Sequence, residues 1–151
     1  MWLYNNTEVH SISDMPENTF GFIYITTHTP TGKRYLGKKS LYHTTTKKLG
    51  KKELAEQPVT RGRAKTTKQV VKESDWQTYY GSSPELSRDV ELLGIENFSR
   101  EILYYCRSKA ECSYIEAREQ FSRRVLESDD YYNGHIQVRV HGSHIKGKLS
   151  S

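Results

Sequence analysis

The sequence contains little of what stabilises secreted proteins or places a chain in a membrane. Its two cysteines, Cys106 and Cys112, are too few for a disulfide scaffold, and their spacing is neither that of a zinc knuckle nor that of a redox pair. No apolar run approaches the roughly 18 residues of a membrane helix, and the N-terminus lacks the basic and then apolar order of a secretion signal. We therefore expect an intracellular protein with no membrane contact.

Acidic residues are scarce over one long segment. Between Lys33 and Lys72 nearly every charged residue is basic, although the whole chain carries a net charge of only +5. This asymmetry favours an anionic partner, and nucleic acid fits the pattern. A solvated loop explains a lysine-rich stretch about as well, so composition leaves both interpretations open.

Two strands joined by a turn are predicted near the N-terminus. Residues 20–27 are dense in aromatic and β-branched side chains, which suit a half-buried strand. A turn signal at 29–32 follows, and residues 33–37 have the pattern of a second strand, so the two form a hairpin. The stretch 38–76 is basic and poor in periodic apolar residues, which predicts a long loop or a loosely helical excursion.

Two helices and a third strand are predicted in the second half. A capping serine before Pro84 predicts a helix that stops at Gly94. Residues 98–105 have the pattern of a strand, and a capping box at Ser108 predicts a second helix up to about Leu126. The buried face of that helix is predicted to consist of Ala110, Tyr114, Ala117, Phe121 and Val125.

These elements predict a small α/β fold. We expect a three-stranded, mainly antiparallel sheet flanked by helices, with a long basic loop after the second strand. A length of 151 residues fits one domain of ordinary size. The predicted organisation is a leader at 1–18, a single domain at 19–137 that includes the basic insertion 38–76, and a tail at 138–151.

Two tyrosines and two lysines of the hairpin are candidates for chemistry. Tyr24 and Tyr35 stand on either side of the turn, so their phenols lie on one face if the strand register allows it. Lys38 and Lys39 follow, and cations beside phenols suit phosphodiester cleavage as well as plain phosphate binding. Tyrosines are common in strands, so a purely structural pair remains an alternative.

Carboxylates on the second predicted helix are candidate metal ligands. Glu116 and Glu119 lie away from its predicted apolar face. One carboxylate, together with waters and a substrate phosphate, is enough to hold Mg²⁺. A surface helix also carries glutamates without such a role. His141 and His144 have no third ligand nearby in sequence, so we do not expect a zinc site.

The segments Gly21-Phe22-Ile23-Tyr24 and Tyr35-Leu36-Gly37 resemble the paired motifs of the GIY-YIG endonucleases. Phe22 is inserted in the first motif, and Leu36 replaces an isoleucine in the second. The order of later features is also similar, with a basic region, a helix, a strand, a helix that carries a glutamate, and then an asparagine, over about residues 21–136. The chain resembles most the small phage-encoded members of the homing type.

This resemblance implies a role for each of several residues. Tyr24 would be the general base or the phenol that orients the attacking water, with Tyr35 as its partner. Glu116 would bind Mg²⁺ or Mn²⁺, and Glu119 is its rival if the gap in the comparison is placed differently. Asn133 would brace the site.

The family's functional arginine is harder to place, because threonines occupy its usual position soon after the second motif. Within the basic insertion, Arg63 is the first choice and Arg61 the second. Lys38 and Lys39 would assist in stabilising the charge of the transition state.

The resemblance implies a metal-dependent DNA endonuclease that hydrolyses phosphodiester bonds by nicking, or by double-strand cutting with a second copy or a partner protein. It would act in the host cytoplasm if a phage encodes it. Non-catalytic nucleic-acid binding through the same insertion is the main alternative, and docking of an acidic partner is another. The residues expected to bind DNA are Lys47, Lys48, Lys51, Lys52, Arg61, Lys65 and Lys68.

Overall fold

The structure, a computed structural model, describes residues 1–56 and 65–150. One compact unit comprises the chain up to Leu41 and from Asp75 onward, and a second unit comprises Tyr42–Ser74. In the described ranges, no helix is long and apolar enough to cross a membrane. The strands and α-helices in chain order are β1 (Trp2–Tyr4), β2 (Thr7–Val9), β3 (Gly21–His28), β4 (Lys33–Ser40), β5 (Tyr42–Lys48), α1 (Lys51–Ala55), β6 (Thr67–Glu73), α2 (Pro84–Leu93), β7 (Phe98–Cys106) and α3 (Lys109–Ser122).

The first unit is built on a five-stranded sheet in the order β2-β1-β7-β3-β4. The predicted hairpin is confirmed, since β3 pairs with β4 along its whole length, from Gly21 opposite Ser40 to His28 opposite Lys33. On its other side β3 pairs with β7, also antiparallel. Two paired neighbours leave β3 almost fully buried, which explains its continuous apolar and aromatic sequence.

The predicted number of strands in this sheet is wrong. Residues of the polar leader form β1, which pairs parallel to β7, and β2, which pairs antiparallel to β1. Each strand has only three residues, too few to give an alternating pattern in the sequence. Asn5 and Asn6 make the turn between them with positive φ angles of 48° and 64°, a conformation that asparagine tolerates.

The first residues of the chain complete one side of the core. Trp2 is fully buried against the edges of the Phe22 and Tyr24 rings, at centroid distances of 4.9 and 5.3 Å. Its indole N–H donates a 2.8 Å hydrogen bond to the carbonyl oxygen of Trp76. The Arg100 guanidinium lies 4.6 Å from the centre of the Trp2 ring. The leader therefore belongs to the packing of the sheet.

The helices begin as predicted, but the buried face of α3 is different. Ser83 and Ser108 cap α2 and α3 by accepting backbone N–H bonds, and α3 ends at Ser122, before the predicted Leu126. Phe121 is 62% exposed. The prediction followed the large aromatic side chains, whereas the helix buries two polar residues, Glu111 and Gln120, each of which has a hydrogen-bond partner far away in sequence. The buried residues are Glu111, Cys112, Ile115, Ala117 and Gln120.

The predicted long basic loop is also wrong over most of its described residues. In the second unit β5 and β6 form an antiparallel ribbon, and α1 follows β5. The threonines and valines of these strands have high strand propensity, but nearly all of them are exposed, so no apolar alternation marks them in the sequence. Arg61 and Arg63 lie outside the described residues.

We expect Trp2→Ala to lower the free energy of unfolding by about 3–5 kcal/mol, because it removes a buried indole, its hydrogen bond and its ring contacts. Urea unfolding followed by circular dichroism would measure this loss. Leu92→Ala is the control, since Leu92 is 80% exposed, and its expected effect is within about 0.5 kcal/mol. Equal effects of the two substitutions would contradict the assigned place of Trp2 in the core.

Candidate active site

The outer edge of β4 positions much of the site. An edge strand presents backbone N–H and C=O groups without partners in the sheet. The chain segment after α3 covers them: Arg34 N–H donates to the Asp130 carbonyl at 2.8 Å, and Tyr132 N–H donates to the Arg34 carbonyl at 2.7 Å. Two residues further along, the Asn133 amide bonds to both backbone groups of Leu36, at 3.1 Å through Oδ1 and at 2.8 Å through Nδ2.

Glu116 occupies the next position along the same edge. It lies on α3, and its carboxylate interacts with the backbone N–H of Lys38. Burial raises the pKa of Glu116, while Lys38 and His135 oppose that shift. The Lys38 ammonium donates a 2.8 Å hydrogen bond to the Ser113 hydroxyl, one turn earlier on α3. Alternate N–H groups of β4 thus hold Asn133 and Glu116 side by side.

A cleft of about 510 Å³ opens beside these groups. Four of the residues predicted from the sequence line it, namely Tyr35, Lys38, Glu116 and Asn133. The other lining residues come from the start of α2 and the two serines before it, from α3, and from the segment that begins at Tyr132. They are Ser82, Ser83, Pro84, Glu85, Arg88, Gln120, Tyr132, Gly134, His135 and Gln137.

The two motif tyrosines lie on the same face of the hairpin. Tyr24 is opposite Gly37 and Tyr35 is opposite Thr26, so the phenols are diagonal neighbours with ring centroids 6.2 Å apart. Gly37 lies between them: a Cβ there would come within 2.8 Å of the Tyr24 hydroxyl oxygen and within 2.8 Å of Tyr35 Cε1. Only glycine fits this close approach.

Both phenols stay protonated at neutral pH. Burial is the main cause that raises the pKa of Tyr24 well above its ordinary value, and the neighbouring Tyr79 raises it further. Burial also raises the pKa of Tyr35, although the hydrogen bond of its hydroxyl with Ser82 Oγ, at 2.5 Å, opposes the shift. In the described structure these tyrosines are therefore suited to donate hydrogen bonds rather than to accept a proton. Tyr35 lines the cleft, and Tyr24 is buried behind it.

Arg88 is a cleft residue that the sequence analysis missed. It lies on α2, its side chain is exposed, and it lines the cleft together with Tyr35 and Glu116. The sequence analysis looked for an arginine within the basic insertion. When Tyr42–Ser74 is left out as a separate unit, Arg88 is the first arginine after the second tyrosine motif. This order of residues is the sequence signal that could have identified Arg88.

Other predicted residues have different surroundings. Lys39 pairs with Asp75 at 2.6 Å and lies 4.0 Å from the centre of the Tyr79 ring. Glu119 accepts a 3.3 Å hydrogen bond from Arg123 and also bonds to Tyr104, and it does not line the cleft. The predicted DNA-binding lysines belong to the second unit: Lys47, Lys48, Lys51, Lys52, Lys65 and Lys68.

The donor set of the cleft suits a hard divalent cation. In residues 1–56 and 65–150 no three His, Cys, Asp or Glu side chains cluster as a closed metal site would require. Two carboxylates line the cleft, those of Glu85 and Glu116, and Glu85 pairs with Lys33 at 2.8 Å. The amides of Asn133 and Gln120 line the same cleft. A single carboxylate with waters and substrate phosphate oxygens is the usual arrangement for Mg²⁺.

A family model described as "Putative endonuclease segE, GIY-YIG domain" matches residues 2–136. The chain belongs to the GIY-YIG endonuclease family. No curated protein and no solved structure is significantly similar to it. The match begins at Trp2, so it includes β1 and β2 as well as the tyrosine hairpin and α3. Members of this family are endonucleases, which are phosphodiester hydrolases. The cleft contains Tyr35, Glu116 and Asn133, three of the residues predicted from the sequence.

We expect Asn133→Ala to destabilise the protein by about 1–3 kcal/mol, because it removes the side-chain amide that bonds to the backbone N–H and C=O of Leu36. The free energy of unfolding in urea measures this cost. Gln137→Ala, at an exposed lining residue of the same cleft, is the matched control, with an expected change within about 0.5 kcal/mol. An Asn133→Ala variant as stable as the Gln137→Ala variant would refute the bracing role of the amide.

Proposed function

We propose that this GIY-YIG protein is a metal-dependent DNA endonuclease whose active site is the cleft beside β4. The observation that carries the proposal is that Glu116, Tyr35 and Arg88, from three separate elements, line one cleft. A carboxylate, a phenol and a guanidinium are together able to hold a cation, orient a water and bind a phosphate. These are the requirements of phosphodiester hydrolysis.

Glu116 is the proposed ligand of Mg²⁺ or Mn²⁺, with Asn133 fixing the strand edge beside it. Such a cation supplies electrostatic stabilisation of the charge that develops on the phosphate and the leaving oxygen. Glu119 is not proposed as the ligand, because Arg123 and Tyr104 engage its carboxylate and it does not line the cleft.

Tyr35 and Tyr24 act in this proposal through hydrogen bonds. The Tyr35 hydroxyl orients the attacking water or a phosphate oxygen, and Tyr24 supports the Tyr35 ring from behind. The raised pKa values of both phenols argue against a phenolate base. His135 lines the same cleft, close enough to Glu116 to influence its carboxylate, and imidazole is the commonest general base. We propose that His135 accepts the proton of the attacking water.

Arg88 takes the arginine role that the sequence analysis gave to Arg63 or Arg61. Its guanidinium forms paired hydrogen bonds with phosphate oxygens and stabilises charge that grows in the transition state. Lys38 assists from the strand edge, whereas the ion pair of Lys39 with Asp75 suggests a structural task for that lysine.

A single cleft of this kind cuts one strand at a time. The proposed product is therefore a nick, and a double-strand break needs a second copy, a partner protein or two successive nicks. A homing-type phage role, action in the host cytoplasm and the domain bounds inferred from the sequence remain predictions.

Glu116→Gln is expected to reduce nicking of supercoiled plasmid by about 100-fold or more, because it removes the charge of the metal ligand while preserving its shape. Gel electrophoresis of plasmid incubated with Mg²⁺, Mn²⁺ or EDTA measures the rate. Glu119→Gln, one helical turn further along α3, is the matched control and should keep nearly full activity. Loss of nicking in Glu119→Gln with normal nicking in Glu116→Gln would reverse the assignment. Metal-independent binding without any cleavage would favour a non-catalytic module.

Arg88→Ala should lower the nicking rate by about 100-fold, whereas Arg88→Lys should recover part of the loss, because it restores the charge without the paired hydrogen bonds. Arg139→Ala, at an exposed arginine that does not line the cleft, serves as the control. If Arg88→Ala nicks at the unmodified rate, the arginine role belongs to another residue. His135→Ala in the same assay, run from pH 6 to 9, tests the proposed base, whose loss should leave a rate that rises with hydroxide concentration.

A further inference from the structure

The β5–β6 ribbon has two chemically different faces. Residues that are directly opposite in an antiparallel pair point to the same face, and the faces alternate along each strand. The register places His43 opposite Lys72 and Lys47 opposite Lys68. These four residues share one face, with Thr45 and Val70 between the two pairs. We call the set His43, Lys47, Lys68 and Lys72 the cationic face.

The opposite face carries mainly uncharged side chains. Its central pairs are Thr44 with Val71 and Thr46 with Gln69. At its ends Tyr42 is opposite Glu73, and Lys48 is opposite Thr67. Lys47 and Lys48 are therefore adjacent in sequence, yet their side chains point to opposite faces.

The pairing on the cationic face is unfavourable without a ligand. Like charges directly opposite each other destabilise a strand pair, and Lys47 faces Lys68 in this way. His43 adds a second positive charge next to Lys72 whenever its imidazole is protonated. All four side chains are exposed, so the arrangement does not result from packing in a core. Such a concentration of positive charge is stabilised when an anion neutralises it.

One internal carboxylate neutralises part of this charge. Glu53, on α1, pairs with Lys68 at 2.7 Å, and this lysine lowers the pKa of Glu53. Within the described residues, no ion pair of this kind holds Lys47 or Lys72. Glu53 therefore neutralises Lys68, while Lys47 and Lys72 are available to an external anion.

We infer that the cationic face binds the phosphate backbone of double-stranded DNA and that Glu53 competes with the DNA for Lys68. The His43–Lys72 and Lys47–Lys68 pairs are four residues apart, which corresponds to about 13 Å along the ribbon. This spacing suits an extended, regularly charged polymer better than a single small anion. The inference rests on the proposed function, because it assigns a part of the substrate to the second unit, and it adds His43 and Lys72 to the residues predicted from the sequence.

The two adjacent lysines provide the sharpest test. The full chain is mixed with a fluorescent DNA duplex in EDTA, and anisotropy gives the affinity between 50 and 200 mM salt. Each lost phosphate contact reduces the slope of log affinity against log salt by about 0.9. We expect Lys47→Gln to flatten the slope by about 0.9, and Lys47→Gln combined with Lys72→Gln by about 1.8. Lys48 was also predicted from the sequence to bind DNA, but the register places it on the opposite face, so Lys48→Gln should leave the slope unchanged.

The competition of Glu53 has a test with the opposite sign. Glu53→Gln releases Lys68 and should tighten DNA binding by up to about fivefold, the equivalent of a surface ion pair. Glu56→Gln is the control, since Glu56 follows α1 and is outside this pair. Weaker or unchanged binding in Glu53→Gln would overturn the competition.

Three results would overturn the inference on the DNA-binding face. The first is an equal decrease of the salt slope in Lys47→Gln and Lys48→Gln, and the second is no decrease in either variant. The third is displacement of the duplex by poly-glutamate at equal charge concentration, which would indicate an acidic protein partner. Plasmid nicking by the same variants distinguishes an error in the assigned DNA-binding face from an error in the proposed nuclease function. If the unmodified protein nicks DNA but Lys47→Gln binds it normally, the active cleft stands and the assigned face does not.

Discussion

The open edge of β4 is the constraint on which the site depends. A strand with only one partner leaves half of its backbone groups unpaired, and such groups are costly when buried. The chain meets this requirement with Asp130, the Asn133 amide and Glu116, each at successive alternate positions of the edge. The same contacts that close the sheet therefore bring the glutamate and the asparagine to the cleft.

The tyrosine hairpin combines close packing with a restricted chemistry. Gly37 lets the phenols of Tyr24 and Tyr35 approach each other, and the surrounding aromatic rings exclude water from Tyr24. Exclusion of water raises the energy of a phenolate, so the packing that fixes the two rings also keeps them neutral. A neutral phenol orients its hydrogen bond well but is a poor proton acceptor. The proposed acceptor of the water's proton is therefore another group of the cleft, His135.

Local sequence signals predicted the elements that depend on local interactions. The hairpin follows from the β-branched and aromatic residues of β3 and from the turn signal after it, and the starts of α2 and α3 follow from the serines that cap them. The short strand β1 could not be found in this way, because its three residues are held by Trp2 contacts with residues far along the chain. Ala117 of the predicted face of α3 is buried, whereas the burial of Gln120 was missed for the same reason as β1: its amide N–H donates to the Leu36 carbonyl, and sequence spacing does not reveal that partner.

Arg88 illustrates how an insertion hides a site from sequence reasoning. The residues of the cleft come from the parts of the chain before Tyr42 and after Ser74, and the ribbon interrupts their linear order. Both ends of the interruption are fixed within the first unit, since Leu41 and Trp76 are fully buried there. All five strands of the sheet belong to the first unit. Because its strands are almost wholly exposed, the ribbon can carry paired lysines that a buried hairpin could not accommodate, and these charges can vary without disturbing the strand edge that holds Glu116.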